Sequence, residues 1–246
     1  TGELKAQLDH VRSLRFTNSE IIQLRGQSFY GQAGIFSPGY LDALSSFKLP
    51  DYSISANSDG QISLGFEGPW WQTTLWEIYA LAIVSEMRSR SIMRSMSKSQ
   101  LDILYARAKV KLYAKLERLR ELPSLNLSDF GTRRRHSFLW QEHCVLTAME
   151  LLGDRFTGTS NVHLALKHGL EAKGTNAHEL PMVFAALERQ QNPADAEALR
   201  QSQYKVLQQW QNEYRGNLLV FLPDTYGTSQ FLEHAPQWVS YWKGAR

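Results

Sequence analysis

Three short segments of this chain combine glycine and hydroxyl residues with a cationic, an amide or an imidazole side chain. They are residues 129–138 (DFGTRRRHSF), 156–161 (FTGTSN) and 174–179 (GTNAHE). Arginine offers a fork of donors to a phosphate or a carboxylate, glycine lets backbone N–H groups approach closely, and serine and threonine add short donors. The three segments together predict a binding site for a phosphorylated, anionic substrate.

His178 is the candidate for covalent chemistry. Imidazole titrates near physiological pH, and its neutral form is a competent nucleophile towards a phosphoryl group. The chain has seven histidines, so a structural or merely exposed histidine is the alternative, but the position in a Gly-Thr-x-x-His turn favours a functional role. The neighbouring Glu179 is a second candidate, which would orient the ring.

Each other candidate in these segments has a structural alternative. The three arginines at 133–135 form either a solvated basic loop or, because they follow a predicted strand, a loop with at least one side chain directed inward. Ser160 and Asn161 either bind a ligand or cap the next helix. Asp224 is either a substrate-orienting carboxylate or part of an Asx-type turn after Pro223.

Composition is typical of a soluble globular protein. The 246 residues are 43% hydrophobic and 21% charged, enough for one large or two modest domains with a sizeable core. No apolar run reaches membrane-spanning length, and a net charge of +3 is too small to indicate nucleic acid binding. The single cysteine, Cys144, excludes an intramolecular disulfide and a cysteine metal cage, and it favours a reducing cytoplasm.

Residues 1–122 predict an N-terminal α+β domain. Helical turns are expected over residues 3–25, with Thr17 or Asn18 as a cap, and the Ser-Pro pair at 37–38 begins a further short helix. These signals are local, because a cap depends only on the residues beside it.

The second part of this domain combines a hairpin with two long helices. Residues 52–66 alternate polar and apolar side chains around an Asp-Gly turn, which predicts a β-hairpin. Residues 75–88 are apolar nearly all round and predict a buried helix, and the aromatic residues of 70–79 are expected in the core rather than in a stacking platform. Residues 101–119 predict an amphipathic helix with a solvated basic face.

From residue 123 the chain alternates short strands, polar exit loops and helices. Strands are predicted at 125–130, 155–158, 173–177 and 218–222, and helices at 138–152, 160–170, 182–189 and 193–210. This order is typical of a parallel β/α layer, and in α/β barrels the exit loops of the strands converge on the active site. Residues 123–246 are therefore predicted to form the first half of an α/β barrel catalytic domain.

The order and wording of these segments resemble those of the bacterial nicotinate phosphoribosyltransferase family. Its chains carry a DFGxRR segment, then GTSN, then a Gly-Thr-x-Ala-His-Glu turn. Further tracts that fit the family are residues 29–31 (FYG), 68–70 (GPW), 75–78 (LWEI), 222–228 (LPDTYGT) and 243–246 (KGAR). Family members begin with a further segment and continue beyond the position of Arg246, so the chain is expected to be a fragment without those two pieces.

The resemblance implies a fold and an activity. The fold is the irregular α/β barrel of the type II phosphoribosyltransferases, preceded by an α+β domain. The reaction joins nicotinate to phosphoribosyl pyrophosphate, giving nicotinate mononucleotide and pyrophosphate, within NAD biosynthesis. The resemblance also implies ATP hydrolysis coupled through a phosphohistidine at His178, Mg²⁺ bound with phosphoribosyl pyrophosphate and ATP, and a cytoplasmic homodimer.

The resemblance extends to single residues. It implies that Phe130 stacks on the pyridine ring, that Arg133 lies close to the substrate, and that Thr175 and Arg246 contact nicotinate. The residues expected to bind substrate are Phe130, Arg133, Arg134, Thr159, Ser160, Thr175 and Arg246. The residues expected to act in catalysis are His178 and Asp224.

Three alternatives remain open at this point. Nicotinamide phosphoribosyltransferase and quinolinate phosphoribosyltransferase are the alternatives among enzymes. The third is a catalytically inactive binding module with the same fold, which retained nicotinate binding without turnover would favour.

Overall fold

The structure is a computed structural model that describes residues 2–28 and 34–246. The FYG tract at 29–31 lies outside the described residues. The chain divides into two compact units, the first containing the described residues up to Gln27 together with Phe36–Lys173, and the second containing Gly174–Arg246 with the short described stretches at 28 and 34–35. The domain boundary expected at 122/123 stays a prediction.

The N-terminal part of the first unit consists of helices and one antiparallel hairpin. The elements are α1 (Gly2–Ser13), α2 (Asn18–Gly26), α3 (Pro38–Ser45), β1 (Tyr52–Ala56), β2 (Ile62–Phe66), α4 (Trp70–Thr73), α5 (Trp76–Met93) and α6 (Lys98–Arg120). The caps are where the sequence predicts them. Thr17 and Glu20 form a capping box at the start of α2, and Ser37 accepts from the Tyr40 backbone N–H before Pro38 at the start of α3.

The core of this part is built around Trp76, whose side chain is 1% exposed. Its indole N–H donates to the carbonyl oxygen of Pro50 at 3.0 Å, and its ring packs edge-on to Tyr52 and stacks on Phe66. Burial of large aromatic side chains contributes strongly to such a core. The remaining buried members are Leu4, Leu8, Ile21, Leu41, Leu44, Phe47 and Leu49.

The predicted helix over 75–88 is present as α5, but the prediction that it is buried is wrong. Only Trp76, Ala80 and Ala82 are buried among its described residues, whereas its large side chains Ile78, Tyr79, Leu81 and Val84 are 40–47% exposed. The core assignment of the nearby aromatic residues holds for Trp76 and is wrong for Trp70, Trp71 and Tyr79. When a helix is apolar on every side, its sequence shows that each side could be buried, but it does not show which side packs against another element.

The C-terminal part of the first unit carries the predicted parallel layer. Strand β3 (Leu127–Asp129) pairs in parallel with β4 (Phe156–Thr159), and helices α7 (Phe138–Leu152) and α8 (Val162–His168) follow them. The predicted helix over 138–152 is confirmed with the same bounds. Helix α6 packs on α7 through a core of Leu116, Val145, Ala148, Leu152, Phe156 and Leu164.

The strand predicted at 173–177 is wrong, because residues 173–177 are irregular. Strand-like pairing occurs earlier, where Thr159 donates its N–H to the carbonyl of Glu171 at 3.2 Å and accepts from the N–H of Lys173 at 3.0 Å. Gly158 makes this approach feasible, since its φ is +139° and a Cβ at that position would overlap the Glu171 carbonyl oxygen. The backbone contacts therefore end just before the GTNAHE segment begins.

The second unit contains two helices, a parallel strand pair and a short helix. They are α9 (Glu179–Gln191), α10 (Ala196–Glu213), β5 (Val220–Phe221), α11 (Thr228–Glu233) and β6 (Gly244–Ala245), with β5 parallel to β6. Tyr204, Leu207, Phe231, Val239 and Trp242 form its core. The predicted start of α10 at 192–193 is wrong, because the Asp195 side chain caps the helix by accepting from the Ala198 N–H at 2.9 Å.

None of the helices in the described part of the chain is long and apolar enough to cross a membrane.

We expect Gly158→Ala to lower the free energy of unfolding by roughly 2–5 kcal/mol, because the added methyl group meets backbone and the φ is strained. Chemical denaturation measures this directly. Gly39→Ala is the matched control, since Gly39 lies in helix α3 with no heavy atom within 4 Å of the added Cβ, and its effect is expected to stay within about 1 kcal/mol. Equal effects of the two substitutions would contradict the close backbone approach.

Candidate active site

In the first unit, the exit loops of β3 and β4 are joined through the carboxylate of Asp129. Its Oδ1 accepts from the Gly131 backbone N–H at 3.0 Å, and its Oδ2 accepts from Gln141 Nε2 and from the Thr159 hydroxyl, both at 2.8 Å. The backbone carbonyl of Asp129 accepts from the Ser160 N–H at 2.8 Å. Residues of the first two motifs are therefore brought together by one side chain.

Two of the three arginines after β3 are directed inward into ion pairs. Arg133 pairs with Glu77 of α5, and Arg135 Nε lies 2.6 Å from Glu86 Oε1. The two arginine side chains are 16% and 19% exposed. Arg134 is exposed and takes part in no ion pair among the described residues. The prediction that at least one arginine faces inward is confirmed, and Arg134 is the one most open to an incoming anion.

The GTSN segment is held by one internal hydrogen bond and by several to neighbouring segments. Thr159 is fully buried, and its hydroxyl accepts from the Asn161 N–H at 3.0 Å as well as donating to Asp129. Asn161 caps α8, because its Oδ1 accepts from the Leu164 N–H at 3.2 Å. The capping alternative is thus confirmed for Asn161. Ser160 and Phe130 lie half-buried at the two strand exits, and substrate binding by Phe130, Thr159 and Ser160 stays a prediction.

In the second unit, His178 stands at the N-terminal end of α9 beside the exit loop of β5. Its Nδ1 lies 3.1 Å from the Thr225 hydroxyl and 3.6 Å from Asp224 Oδ1. The first distance is a hydrogen bond. The second is longer than a hydrogen bond but close enough for attraction when the imidazole carries a positive charge. The structure thus brings together the two residues expected to act in catalysis, and it adds Thr225.

Arg246 and Thr175 also meet in the second unit. Arg246 Nη1 donates to the Thr175 hydroxyl at 2.8 Å and to the Asn176 carbonyl at 3.3 Å. The parallel pairing of β5 and β6 brings Arg246 there, since its backbone N–H donates to the Phe221 carbonyl at 2.9 Å. The Thr175 hydroxyl donates its one proton to the Asn176 carbonyl at 2.8 Å, so the guanidinium of Arg246 is the member of this pair that suits a carboxylate as a charged donor.

Asn176 is a polar residue of this segment that the sequence analysis did not single out. Its side chain is buried, at 3% residue exposure, and neither its Oδ1 nor its Nδ2 has a hydrogen-bond partner among the described residues. Buried polar groups are nearly always paired, so an amide without partners destabilises the fold unless a water or a ligand satisfies it.

Cys144, the single cysteine of the chain, has no part in these contacts. It lies half-buried on α7. Burial, followed by the nearby charge of Asp129, raises the pKa of the Cys144 thiol. A raised pKa disfavours the reactive thiolate form.

Comparison with known proteins agrees with this arrangement of motifs. The sequence model of the nicotinate phosphoribosyltransferase (NAPRTase) N-terminal domain matches residues 1–85, and that of the nicotinate phosphoribosyltransferase (NAPRTase) family matches residues 125–246. The chain belongs to the nicotinate phosphoribosyltransferase family. Both the hairpin region and the strand-exit motifs therefore fall within family-matched residues.

Solved structures of the family are similar to this chain. Crystal structures of nicotinate phosphoribosyltransferase from Porphyromonas gingivalis and Vibrio cholerae match it with TM-scores of 0.72 and 0.74 and sequence identities of 27% and 28%. The matches cover 96% and 99% of this chain, which spans 54% and 55% of the length of those two chains. They confirm the predicted fold class, an α+β domain followed by part of an irregular α/β barrel of the type II phosphoribosyltransferase kind.

We expect Asn176→Leu to raise the free energy of unfolding by roughly 1–3 kcal/mol in the absence of substrate, because a buried amide without partners is replaced by an apolar group of similar size. Asn212→Leu on the exposed side of α10 is the control and is expected to change stability by less than about 0.5 kcal/mol. Thermal and chemical denaturation measure both variants. Destabilisation by Asn176→Leu would mean that the amide is hydrogen-bonded in solution.

Proposed function

We propose that the protein is a nicotinate phosphoribosyltransferase, which converts nicotinate and phosphoribosyl pyrophosphate into nicotinate mononucleotide and pyrophosphate in NAD biosynthesis. The observation that carries the proposal is the pairing of Arg246 with Thr175 in the segment that also carries His178, in a chain of this family. A guanidinium donor for a carboxylate suits an acidic substrate, and a nucleophilic imidazole suits a phosphoryl group.

The proposed reaction depends mainly on how the protein positions its substrates. The pyridine ring nitrogen is itself the nucleophile that attacks ribose C1, so the protein need not remove a proton from the ring. Its tasks are to hold two anionic substrates in reacting geometry and to stabilise the charge that develops on the departing pyrophosphate. The exposed guanidinium of Arg134 after β3 and the hydroxyl of Ser160 after β4 offer donors for that charge.

Selectivity for nicotinate follows from the guanidinium of Arg246 in the second unit. A guanidinium donates charge-assisted hydrogen bonds to a carboxylate, and bonds of this kind are about twice as strong as neutral ones. The neutral amide of nicotinamide accepts such bonds more weakly and adds an NH₂ donor that faces a cation. A quinolinate substrate would carry a second carboxylate, for which the second unit shows no further arginine of this kind among its described residues.

ATP hydrolysis is proposed to be coupled through a phosphoryl group on His178. The imidazole tautomer with its proton on Nδ1 donates to the Thr225 hydroxyl, which leaves the lone pair on Nε2. Nε2 attacks the γ-phosphorus, a P–N bond forms, the bond to the β,γ-bridging oxygen breaks, and ADP departs. Asp224 then lies near the positive charge that the ring acquires. Linkage between this modification and substrate affinity would drive mononucleotide accumulation.

The proposal also includes a metal ion, a cellular location and an oligomeric state. No group of three or more His, Cys, Asp and Glu side chains in the described ranges is arranged to hold a metal. Mg²⁺ is proposed to enter with phosphoribosyl pyrophosphate and with ATP, as the family resemblance implies. A cytoplasmic location rests on the single free cysteine, and the homodimer rests on the family resemblance.

Nicotinate mononucleotide formation tests the activity directly, with the protein expressed at its full natural length. We expect product from nicotinate and phosphoribosyl pyrophosphate, stimulated by ATP, and far less from nicotinamide. Arg246→Ala should raise KM for nicotinate at least about tenfold, through loss of a charge-assisted contact, and change KM for phosphoribosyl pyrophosphate much less. Equal effects on both would assign Arg246 to the phosphate, and no product with any pyridine substrate would contradict the proposed function.

His178 should carry an acid-labile, base-stable label after incubation with γ-labelled ATP. We expect His178→Asn to abolish the label and the ATP stimulation while some slow, ATP-independent synthesis remains. Thr225→Val, which removes the hydroxyl that orients Nδ1, should slow labelling by about ten- to a hundredfold. The exposed His234 serves as the control through His234→Asn, which should label normally. A label that survives in His178→Asn would make His178 a structural histidine.

A further inference from the structure

Gln141 is a buried polar residue in the first turn of α7, at 4% exposure. Helix α7 begins here because the Ser137 hydroxyl caps it, accepting from the Trp140 N–H at 3.1 Å. A glutamine in the first turn of an amphipathic helix is usually solvated. Burial of this side chain therefore demands partners for its amide.

The Gln141 amide contacts the exit loops of both β3 and β4. Its Nε2 donates to Asp129 Oδ2, at the end of β3, at 2.8 Å and to the Thr132 hydroxyl, in the loop after β3, at 3.0 Å. Its Oε1 accepts from Asn161 Nδ2, after β4, at 3.2 Å, and more weakly from Arg135 at 3.5 Å. An amide carries two N–H donors and one oxygen with two lone pairs, so this set uses its whole capacity.

We infer that Gln141 is a positioning residue that holds the two exit loops at the spacing required to bind the diphosphate part of the substrate. The inference rests on the proposed function, because that function places an anionic substrate at these loops. Among uncharged side chains of this length, only glutamine donates to one loop and accepts from the other. Glutamate would lose both donors and set a carboxylate against Asp129, and methionine would lose all four contacts.

The three arginines after β3 differ in their contacts with this network. Arg135 is held between Gln141 and Glu86, and its guanidinium lies 5.3 Å from the ring centre of Phe138. Arg133 is held by Glu77. Arg134, in the 3₁₀ turn that begins at Thr132, stays exposed. The hydrogen bond from Gln141 to Thr132 thus fixes the first residue of the turn that presents Arg134.

The test is the affinity of the protein, at its full natural length, for inorganic pyrophosphate, measured by titration calorimetry. We expect Gln141→Met to weaken pyrophosphate binding at least about tenfold, and to raise KM for phosphoribosyl pyrophosphate more than KM for nicotinate. Thr132→Val should weaken pyrophosphate binding by a smaller factor, and Thr132→Ser should restore it. The double variant should bind no more weakly than Gln141→Met, because the two residues act through one contact. Gln209→Met on the exposed part of α10 should change nothing.

Unchanged pyrophosphate affinity in a folded Gln141→Met variant, or additive effects in the double variant, would overturn the inference. If Gln141→Met fails to fold, Thr132→Val alone decides, and wild-type affinity there would overturn it as well. The same measurements distinguish failure of this inference from failure of the proposed function. A wild-type protein that binds pyrophosphate in a Gln141-dependent way but makes no nicotinate mononucleotide would keep the inference and lose the function, whereas a wild-type protein that does not bind pyrophosphate would overturn the inference.

Discussion

The exit loops of the first unit depend on the hydrogen bonds that the Asp129 carboxylate accepts. Strands β3 and β4 are only three and four residues long, so their ladder alone leaves the two exit loops weakly fixed. The Asp129 carboxylate adds three hydrogen bonds, which it accepts from the Gly131 backbone N–H, the Gln141 amide and the Thr159 hydroxyl. Hydrogen bonds to a charged group in a half-buried site are stronger than neutral ones and costly to leave unpaired. The loops are therefore arranged before any substrate arrives.

Charge pairing has a similar organising effect on the arginines. Three consecutive cations repel one another, and an exposed ion pair contributes at most about 1 kcal/mol. Glu77 and Glu86 of α5 lie against Arg133 and Arg135 at sites that are largely shielded from water. Removal of either glutamate would leave a shielded cation without its partner, which is more costly than loss of a surface pair. Helix α5 thereby supports the site although much of its own surface is exposed.

Local signals in the sequence were enough for much of the fold. The capping box at Thr17, the cap at Ser37 and the hairpin over 52–66 depend on residues within a few positions of each other, and all are present. The strand predicted at 173–177 failed because the decisive contact is between backbones, where Gly158 lets Glu171 and Lys173 pair with Thr159. The prediction that α5 is buried failed because the pattern of apolar residues does not reveal which neighbours cover a helix.

In the candidate site, too, some residues could be predicted from sequence motifs and others could not. His178, Asp224, Thr175 and Arg246 were expected from motif wording, and the structure brings them together in two contacts within the second unit. Gln141 and Thr225 were missed. The side-chain partners of Gln141 lie 6 to 20 residues away along the chain, and the partner of Thr225 lies 47 residues away. The type of neither residue separates it from an ordinary polar surface position. The one signal that could have singled out Gln141 is its place in the first turn of a helix that directly follows a motif.

The central claim is that the strand-exit loops of this chain are prearranged to bind a diphosphate anion. A crystal structure of the protein at its full natural length with bound pyrophosphate tests it most directly. The account predicts pyrophosphate oxygens within hydrogen-bond distance of Arg134 and of Ser160, with Asp129, Gln141 and Thr159 bonded to one another as they are without ligand. Pyrophosphate bound elsewhere, or bound at these loops only after the Asp129 contacts have broken, would contradict it.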